Sequence, residues 1–241
     1  MDAKNKQTSG ADQATPSIPQ YFSWLNNTNE GATQTQTLIN LAYFKWLKNE
    51  YGMQIKLYAW DAGNLDGSNG TYAAKNKEKL QKQFPEGYGP IARAAAETGI
   101  RLGVWCGADG FGNTPEEEKA RRELIISLCR DYNFMEFKVD AVCDWLREEK
   151  QLIFAQMIRE CRSYCPDLIL LNHRNNLGPA ELYATTTLWE GAETYIDVWM
   201  SNSYPAPHHR AGALSRGLTP NLDRLSEDHG VCLSSCLDFF E

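Results

Sequence analysis

The chain contains 241 residues, of which 42% are hydrophobic and 23% are charged, as expected for a globular protein with a sizeable core. Its net charge of −7 and sequence pI near 5.2 argue against binding to nucleic acid and to anionic membrane surfaces. No apolar run approaches the roughly 20 residues that cross a bilayer. The 7 cysteines match no disulfide scaffold or metal-site pattern, so we expect reduced thiols that act as small core residues.

The first twenty residues, MDAKNKQTSGADQATPSIPQ, are polar and contain no hydrophobic segment of the kind found in a signal peptide. We interpret residues 1–20 as a disordered tail or a linker. No second compositional block divides the remainder, so residues 21–241 are predicted to form one domain. The cytoplasm is the default compartment on this basis, although the start of the chain does not decide it.

Seven short apolar runs predict β-strands, and helical periodicity lies between several of them. The predicted strands are Tyr21–Leu25, Gln54–Trp60, Ile100–Cys106, Phe134–Val139, Leu168–Asn172, Thr185–Glu190 and Gly230–Leu237. The predicted helices are Thr35–Tyr51, Pro90–Thr98, Thr114–Tyr132 and Glu148–Ser163. The third helix begins with Thr114, Pro115 and Glu117, which supply a cap, a first-turn proline and an early acid.

Repeated strand–helix units predict an α/β fold in which helices cover a parallel sheet. Such a sheet is either a closed barrel or an open doubly wound sheet. The segment after the first strand, FSWLNNTNEGATQTQT, contains one glycine and no phosphate-binding pattern of the GxGxxG or GxxxxGK[ST] type. This favours a (β/α)8 TIM-type barrel, whose typical length is roughly 250 residues.

Seven strands are one fewer than a (β/α)8 barrel contains. We therefore expect a barrel that is incomplete at its C-terminal end and lacks its last strand–helix unit. The expected consequence is an unpaired edge between the first and seventh strands, with apolar surface exposed there. Self-association through this open edge is predicted.

The carboxyl ends of the predicted strands carry an unusual number of polar and aromatic side chains. In a parallel barrel these ends meet at one face, where active sites lie. Tryptophans also fill cores and carboxylates also cap helices, so it is the coincidence at successive ends that indicates a site. Carboxylates with tryptophans, and without a nucleotide loop or metal cluster, favour a carbohydrate substrate and no cofactor or metal. The candidate residues are Trp24, Trp60, Asp61, Trp105, Lys138, Asp140, Asn172, Arg174, Glu190 and Glu193.

Lys138 and Asp140 are two residues apart in the apolar stretch FMEFKVDAVCDW. Residues at this spacing on a strand point to the same side of a sheet. The ammonium group can keep Asp140 ionised, as a glycosidase nucleophile must be, and can donate to a sugar hydroxyl. The alternative interpretation is an ordinary ion pair at a strand end.

The segments YAWDAG, GIRLGVW and FKVDAV, on the second to fourth predicted strands, resemble the α-galactosidase clan of retaining glycosidases. The resemblance covers residues 21–241 in order and spacing, with motif-level matches on those three strands. It implies a barrel with a K-x-D nucleophile motif on strand four. Asp140 then corresponds to the nucleophile and Lys138 to a donor to a sugar hydroxyl.

The resemblance also implies that Asp61 binds the hydroxyls that distinguish galactose, and that Trp60 and Trp105 are walls of the sugar pocket. The chain departs from the clan pattern where Ala62 replaces a second aspartate after strand two. It departs again in the strand-five segment LLNHRNN and the strand-six segment LWEGAETYID, where the clan has an acid/base aspartate. The acid/base candidates there are Glu190, which we rank first, then Glu193, with Asp197 behind them.

Three functions are compatible with these residues. The first is a retaining glycoside hydrolase that acts on an α-galactoside-like sugar by double displacement. The second is a catalytically inactive or truncated barrel with a sugar-binding or structural role. The third is an aldolase or isomerase with Lys138 as a Schiff-base lysine, which ranks last because a neighbouring carboxylate favours the charged ammonium.

Overall fold

The computed structural model describes residues 20–22, 33–67, 70–73, 77–188, 195–200 and 232–237. Side chains are described in these ranges except at positions 77, 186–188, 195–200 and 232–237. The predicted tail therefore lies outside the described residues, apart from its last position, which begins the first strand.

Eight β-strands lie within the described residues, and they form two sheets. They are β1 (Gln20–Phe22), β2 (Leu57–Trp60), β3 (Arg101–Cys106), β4 (Phe134–Asp140), β5 (Ile169–His173), β6 (Thr186–Leu188), β7 (Tyr195–Met200) and β8 (Cys232–Leu237). The first six pair in chain order, each parallel to the next. A doubly wound sheet reverses its strand order at a switch point, whereas a (β/α) barrel does not. The uninterrupted order confirms the predicted α/β, barrel-type architecture.

Five α-helices are described: α1 (Gln34–Tyr51), α2 (Lys77–Gln83), α3 (Gly89–Thr98), α4 (Pro115–Tyr132) and α5 (Gln151–Tyr164). The four predicted helices are confirmed, and α2 is additional. Single 3-10 turns cover Glu148–Lys150 and Gly178–Tyr183. Helix α4 begins with the predicted cap, because the Thr114 side chain accepts from the Glu117 amide and the Glu117 side chain accepts from the Thr114 amide.

The prediction of seven strands was wrong. Strand β7 lies in a segment that had been interpreted only as a source of acids after the sixth strand, although its sequence YIDVWM is rich in the β-branched and aromatic residues that favour strands. Within the described residues β7 pairs with β8 in a separate parallel sheet, and β1 pairs with β2. The domain boundary and the open edge remain predictions.

The outward face of the six-stranded sheet packs on the helices and forms the core. Tyr58, Trp60, Val104 and Phe137 lie on this face and are at most 1% exposed. Among their partners from the helices are Leu41, Ile91, Ile125, Phe154 and Ile158. The five cysteines with described side chains, Cys106, Cys129, Cys143, Cys161 and Cys165, are buried and unbridged, as expected for core thiols.

A β-bulge in β4 decides which of its residues face the helices. Leu102 pairs with Phe134, but the next residue of β3, Gly103, pairs with Glu136. Met135 is therefore an extra residue, and it switches the alternation between Phe134 and Glu136. Phe134 packs against Trp60 on the helix side, with ring centroids 5.8 Å apart, while Glu136 faces the other side of the sheet.

A buried ion pair holds the loops after β2 and β3 to helix α4. Arg121 donates to Asp66 through two parallel hydrogen bonds of 3.1 and 2.8 Å, and both side chains are at most 3% exposed. Asp66 also accepts from the amides of Ala73 and Gly107, and Arg121 donates to the Gly107 carbonyl. Every charged oxygen and both terminal guanidinium nitrogens are thus satisfied, as a buried pair requires.

A second pair, also bidentate, connects the loops after β3 and β4. Arg147 donates to both oxygens of Asp109 at 2.8 Å, and the amides of Gly110 and Phe111 donate to the same carboxylate. Burial by itself would raise the pKa of Asp109, but these donors lower it below its ordinary value. The loop after β5 joins the series through Asn175, whose Oδ1 accepts from the Leu146 amide at 3.1 Å.

Among the described residues, no helix is both long and apolar enough to cross a membrane.

Replacing Arg121 with Met should lower the free energy of unfolding by about 3–5 kcal/mol, because the substitution leaves the Asp66 carboxylate buried without its counter-charge. The matched control is Arg122→Met on the same helix, which removes a half-exposed pair with Glu160 at 3.4 Å. That control should change stability by no more than about 0.5 kcal/mol. Urea unfolding of both variants measures the difference, and equal losses would contradict a special role for the Asp66–Arg121 pair.

Candidate active site

The inward face of the sheet, opposite the helices, carries a row of charged side chains. Register places Ala59, Gly103 and Glu136 side by side across β2, β3 and β4. One step further toward the carboxyl ends, Trp105 of β3 lies beside Lys138 of β4. Asp140 and His173 are the next pair, on β4 and β5. On the inward face, β2 and β3 therefore carry small residues in the lower row, whereas β4 carries ionisable residues along its length.

Strand β4 contributes three ionisable residues to this face, Glu136, Lys138 and Asp140, and each is less than 5% exposed. Lys138 forms an ion pair with Asp61, with 3.2 Å between Nζ and Oδ2. The Lys138 ammonium also lies 5.0 Å from the centroid of the Phe22 ring at the end of β1. The buried lysine is thus compensated by a carboxylate two strands away.

Asp140 is held by donors from three directions. Its Oδ1 accepts from Arg174 and from the amide of Val142, each at 3.1 Å. Its Oδ2 accepts from the indole N–H of Trp105 at 3.3 Å, and His173 Nδ1 lies 3.9 Å from the same oxygen. Donors from β3, from the loop after β4 and from the loop after β5 fix the carboxylate in one orientation.

The two aspartates are close enough to influence each other. Burial raises the pKa of Asp61, the Lys138 ammonium and the Ala62 amide act in the opposite direction, and the negative charge of Asp140 adds a smaller rise. The net pKa of Asp61 is above its ordinary value. The sequence-based expectation that Asp61 and Asp140 occupy the same end of the sheet agrees with this interaction.

Glu136 is a third carboxyl group at the bottom of this charged row. It is 1% exposed, and no described group hydrogen bonds to its Oε1. Burial raises its pKa to about 8, although Lys138 acts in the opposite direction. Gly103 is required beside it, because a Cβ there would lie 2.9 Å from Cβ of Glu136 and 3.0 Å from Cβ of Ala59. Burial therefore favours the protonated, neutral form of Glu136 near pH 7.

Five of the predicted site residues are brought together: Asp61, Trp105, Lys138, Asp140 and Arg174. Arg174 had been predicted only as a sugar contact, but it is the cation that hydrogen bonds to Asp140. It is also the most exposed of the group, at 28% for its side chain, so solvent reaches the site from the Arg174 side. Its φ of 67° lies in the left-handed region, a conformation that costs a non-glycine residue energy and is frequent at functional sites.

The structure contradicts the interpretation of Trp60 as a wall of the sugar pocket. Trp60 is fully buried on the helix side, where its Nε1 donates to Thr37 at 3.1 Å and its ring packs on Phe84 and Tyr88. Adjacent residues of a strand point to opposite faces, so Trp60 and Asp61 are separated by the sheet.

Asn172 is likewise placed away from the site. It lies on the helix side, fully buried, and it closes the turn after β5: its Nδ2 donates to the Asn175 carbonyl and its Oδ1 accepts from the Asn175 amide. Its neighbour His173 faces Asp140 instead. The prediction of Asn172 as a sugar contact is wrong, and its role is to shape the loop that carries Arg174.

The sequence analysis did not select Glu136 or His173 as site residues. The strand period could have identified Glu136, since it precedes Lys138 by two residues and Asp140 by four. The register between β4 and β5 places His173 beside Asp140 and Asn172 beside Val139. His173 therefore shares the face of Asp140, and Asn172 does not. Trp24, Glu190 and Glu193 lie outside the described residues, and Asp197 lies in β7 with only its backbone described.

The chain matches no protein-family model and no curated protein. It is similar to several solved structures of α-galactosidases. One is a variant of the GH36 α-galactosidase AgaA from Geobacillus stearothermophilus in complex with stachyose, with 11% identity and a TM-score of 0.49 over 83% of this chain and 38% of the enzyme. α-Galactosidase I from Mortierella vinacea has 13% identity and a TM-score of 0.45 over 82% and 50% of the two chains.

The α-galactosidase from Lactobacillus brevis has 14% identity and a TM-score of 0.45, over 72% of this chain and 30% of the enzyme. The chain thus spans between about a third and a half of the length of these three enzymes. At these values the similarity does not decide the activity, which has to be argued from the site itself.

Glu136 makes the stability of the protein depend on pH. Its pKa is about 8 when folded and near the ordinary value of 4.5 when unfolded, so the folded state holds a proton that the unfolded state releases between these values. The contribution of Glu136 to the free energy of unfolding should therefore be fully present below pH 4.5 and should be lost as pH rises to 8, by roughly 3–5 kcal/mol relative to a variant without the group.

The measurement is chemical denaturation from pH 5 to pH 9 of the wild type and of Glu136→Gln, which keeps the shape and remains neutral. Glu116→Gln, a change at an exposed position of α4, serves as the control. The gap in stability between wild type and Glu136→Gln should widen toward pH 9. Parallel pH curves for these two proteins would show that Glu136 does not hold its proton.

Proposed function

We propose that the protein is a retaining glycoside hydrolase that acts on α-galactoside-like sugars by double displacement, with Asp140 as the nucleophile. The observation that carries the proposal is the setting of Asp140. A buried carboxylate at the carboxyl end of a parallel strand is oriented by Trp105 and Arg174, beside a second carboxylate paired with Lys138. Retaining glycosidases require an oriented, ionised carboxylate in this position.

In the first step the Asp140 carboxylate attacks the anomeric carbon, the glycosidic C–O bond breaks, and an acid protonates the departing oxygen. Oδ2 is the better placed attacking atom, because it accepts one long hydrogen bond from Trp105 whereas Oδ1 accepts two shorter ones. In the second step the conjugate base of that acid deprotonates a water molecule. The resulting attack on the anomeric carbon releases the sugar and restores Asp140.

The acid/base comes from the segment that follows β6. Glu190 is the first candidate and Glu193 the second, with Asp197 behind them in β7. A retaining mechanism requires this acid to lie about 5–5.5 Å from Asp140, whereas an inverting one leaves roughly 6.5–9.5 Å for a water molecule.

The remaining residues of the site suit recognition of a sugar. Asp61 and Lys138 form a donor–acceptor pair that two neighbouring hydroxyls of a pyranose can bridge, and Trp105 offers an indole edge beside them. Before substrate binds, the Arg174 guanidinium neutralises the charge of Asp140. This reduces the repulsion between the buried carboxylates of Asp140 and Asp61.

A sugar-binding barrel without catalysis is the second candidate, and the ion pair between Arg174 and Asp140 favours it. A guanidinium group 3.1 Å from the carboxylate weakens its nucleophilicity and covers it from the solvent side. Schiff-base chemistry at Lys138 is disfavoured for a similar reason, because the Asp61 carboxylate stabilises the charged ammonium rather than the free amine.

Replacing Asp140 with Asn should abolish hydrolysis of an aryl α-galactoside, with a loss of about a thousandfold or more, because the isosteric amide cannot form the glycosyl ester. Asp144→Asn in the same loop is the matched control: this side chain is exposed, and its acceptor oxygen for the Trp145 amide is retained. The control should keep activity within about twofold.

A 2-deoxy-2-fluoro-α-galactosyl fluoride should also label wild-type protein at Asp140, which mass spectrometry of the digested protein detects. Proton NMR should show the α-anomer of the sugar as the first product. Near-normal turnover by Asp140→Asn, or a β-anomer as the first product, would contradict the proposed mechanism. Binding of galactosides by wild type without any turnover would select the second candidate.

A further inference from the structure

We propose that Trp145 is the stacking platform for the saccharide unit that leaves when Asp140 attacks, and this inference rests on the proposed function. Trp145 is 59% exposed, more than Trp46, Trp60 and Trp105, the other tryptophans with described side chains. An indole ring combines a large apolar face with a polar N–H, so an exposed indole beside a binding site is available to stack on a ligand.

The loop that carries Trp145 is firmly attached at both ends. Its first residues are held by the bond from the Ala141 amide to the His173 carbonyl at 3.1 Å and by that from Val142 to Asp140. After Trp145 the chain is held by the Leu146 amide bond to Asn175 and by the bidentate pair of Arg147 with Asp109. An exposed aromatic ring on a fixed loop is preorganised for stacking, so little side-chain freedom is lost on binding.

Asp61 and Lys138, which the glycone would bridge, are buried in the sheet, whereas Trp145 is exposed, so we assign its ligand to the leaving side of the reaction. The loop begins at Asp140, so its exposed residues lie at the carboxyl-end face, where the site opens. Val142, which is 47% exposed, adds apolar surface in the same loop.

The apolar surface in this loop is too small for a stable protein partner. It consists of Trp145 and Val142, and the sequence continues into charged residues: Asp144, Arg147, Glu148 and Glu149. Specific protein–protein interfaces bury about 800 Å² on each side, far more than two side chains provide. One indole face with polar neighbours instead matches one pyranose ring, which has an apolar C–H face and a hydroxyl rim.

The test compares two substrates that differ only in the leaving group. α-Galactosyl fluoride loses a fluoride ion and needs no platform, whereas melibiose, a galactose α-linked to glucose, loses a sugar. Trp145→Ala should lower kcat/KM for melibiose about five- to tenfold, as expected for truncation of an aromatic anchor, and should leave the fluoride within about twofold. Trp145→Tyr should recover most of the loss.

The control is Trp46→Ala, which removes a similarly exposed tryptophan, at 45%, from the outer helix α1 and should affect neither substrate. Equal kcat/KM values of wild type and Trp145→Ala for melibiose would overturn the inference while leaving the proposed hydrolase intact. A parallel loss on both substrates would also overturn it, because it would indicate a general disturbance of the site.

Calorimetric titration of each protein with melibiose separates the inference from the proposed function. If the wild type binds melibiose without hydrolysing either substrate and Trp145→Ala loses that binding, the stacking role of Trp145 is supported and the proposed hydrolase activity is contradicted. If the wild type neither binds melibiose nor hydrolyses either substrate, both the stacking role and the hydrolase activity are contradicted.

Discussion

The rest of the site depends on how Lys138 is accommodated in the interior of the sheet. A lysine in the middle of a buried strand needs a counter-charge within reach, and Asp61 provides it from two strands away. Neighbouring strands lie about 4.8 Å apart, so the backbones of β2 and β4, which flank β3, are roughly 10 Å from each other. A contact of 3.2 Å between the charged groups therefore spans strand β3, and this is easiest on the concave face of a sheet that curls toward a barrel.

The same constraint explains the small residues below the ion pair. Gly103 lies between Ala59 and Glu136, and because it has no side chain it leaves room on this face for the side chains of both neighbours. Trp105 occupies the next inward position of β3, and its indole N–H reaches Asp140. On β2 and β3 the inward residues are small at Ala59 and Gly103 and become larger toward the carboxyl ends, where the charged groups of Asp61 and Asp140 lie.

The charges of the site divide into two pairs with different roles. Lys138 and Asp61 are both about 4% exposed and compensate each other inside the sheet, while Arg174 compensates Asp140 from a half-exposed loop. Glu136, in its protonated form, adds no further negative charge. A pair whose cation sits on a loop can be opened by a substrate at lower cost than one in which both members are on strands, so Asp140 is the carboxylate available for chemistry.

The loops at the carboxyl ends are linked in series by polar contacts. Asp66 with Arg121 joins the loops after β2 and β3, Asp109 with Arg147 joins those after β3 and β4, and Asn175 adds the loop after β5. Because each link uses a buried or half-buried polar group with several partners, the loops behave as extensions of the sheet. These links hold the site residues and the exposed Trp145 in a fixed geometry.

The sequence by itself determined what depends on local periodicity and local hydrogen bonds. The helices, the capping box at Thr114, the repeated strand–helix units of the α/β architecture and the position of Asp61 and Asp140 at strand ends follow from residues near one another in the chain. Only the tertiary structure decided the pairing of Lys138 with a carboxylate 77 residues earlier. The bulge that turns Phe134 outward was also decided there, as were the faces on which Trp60 and Asn172 lie. The physical reason is that strand register and sheet curvature arise from contacts between distant segments, and a shift of one residue reverses which side chains meet.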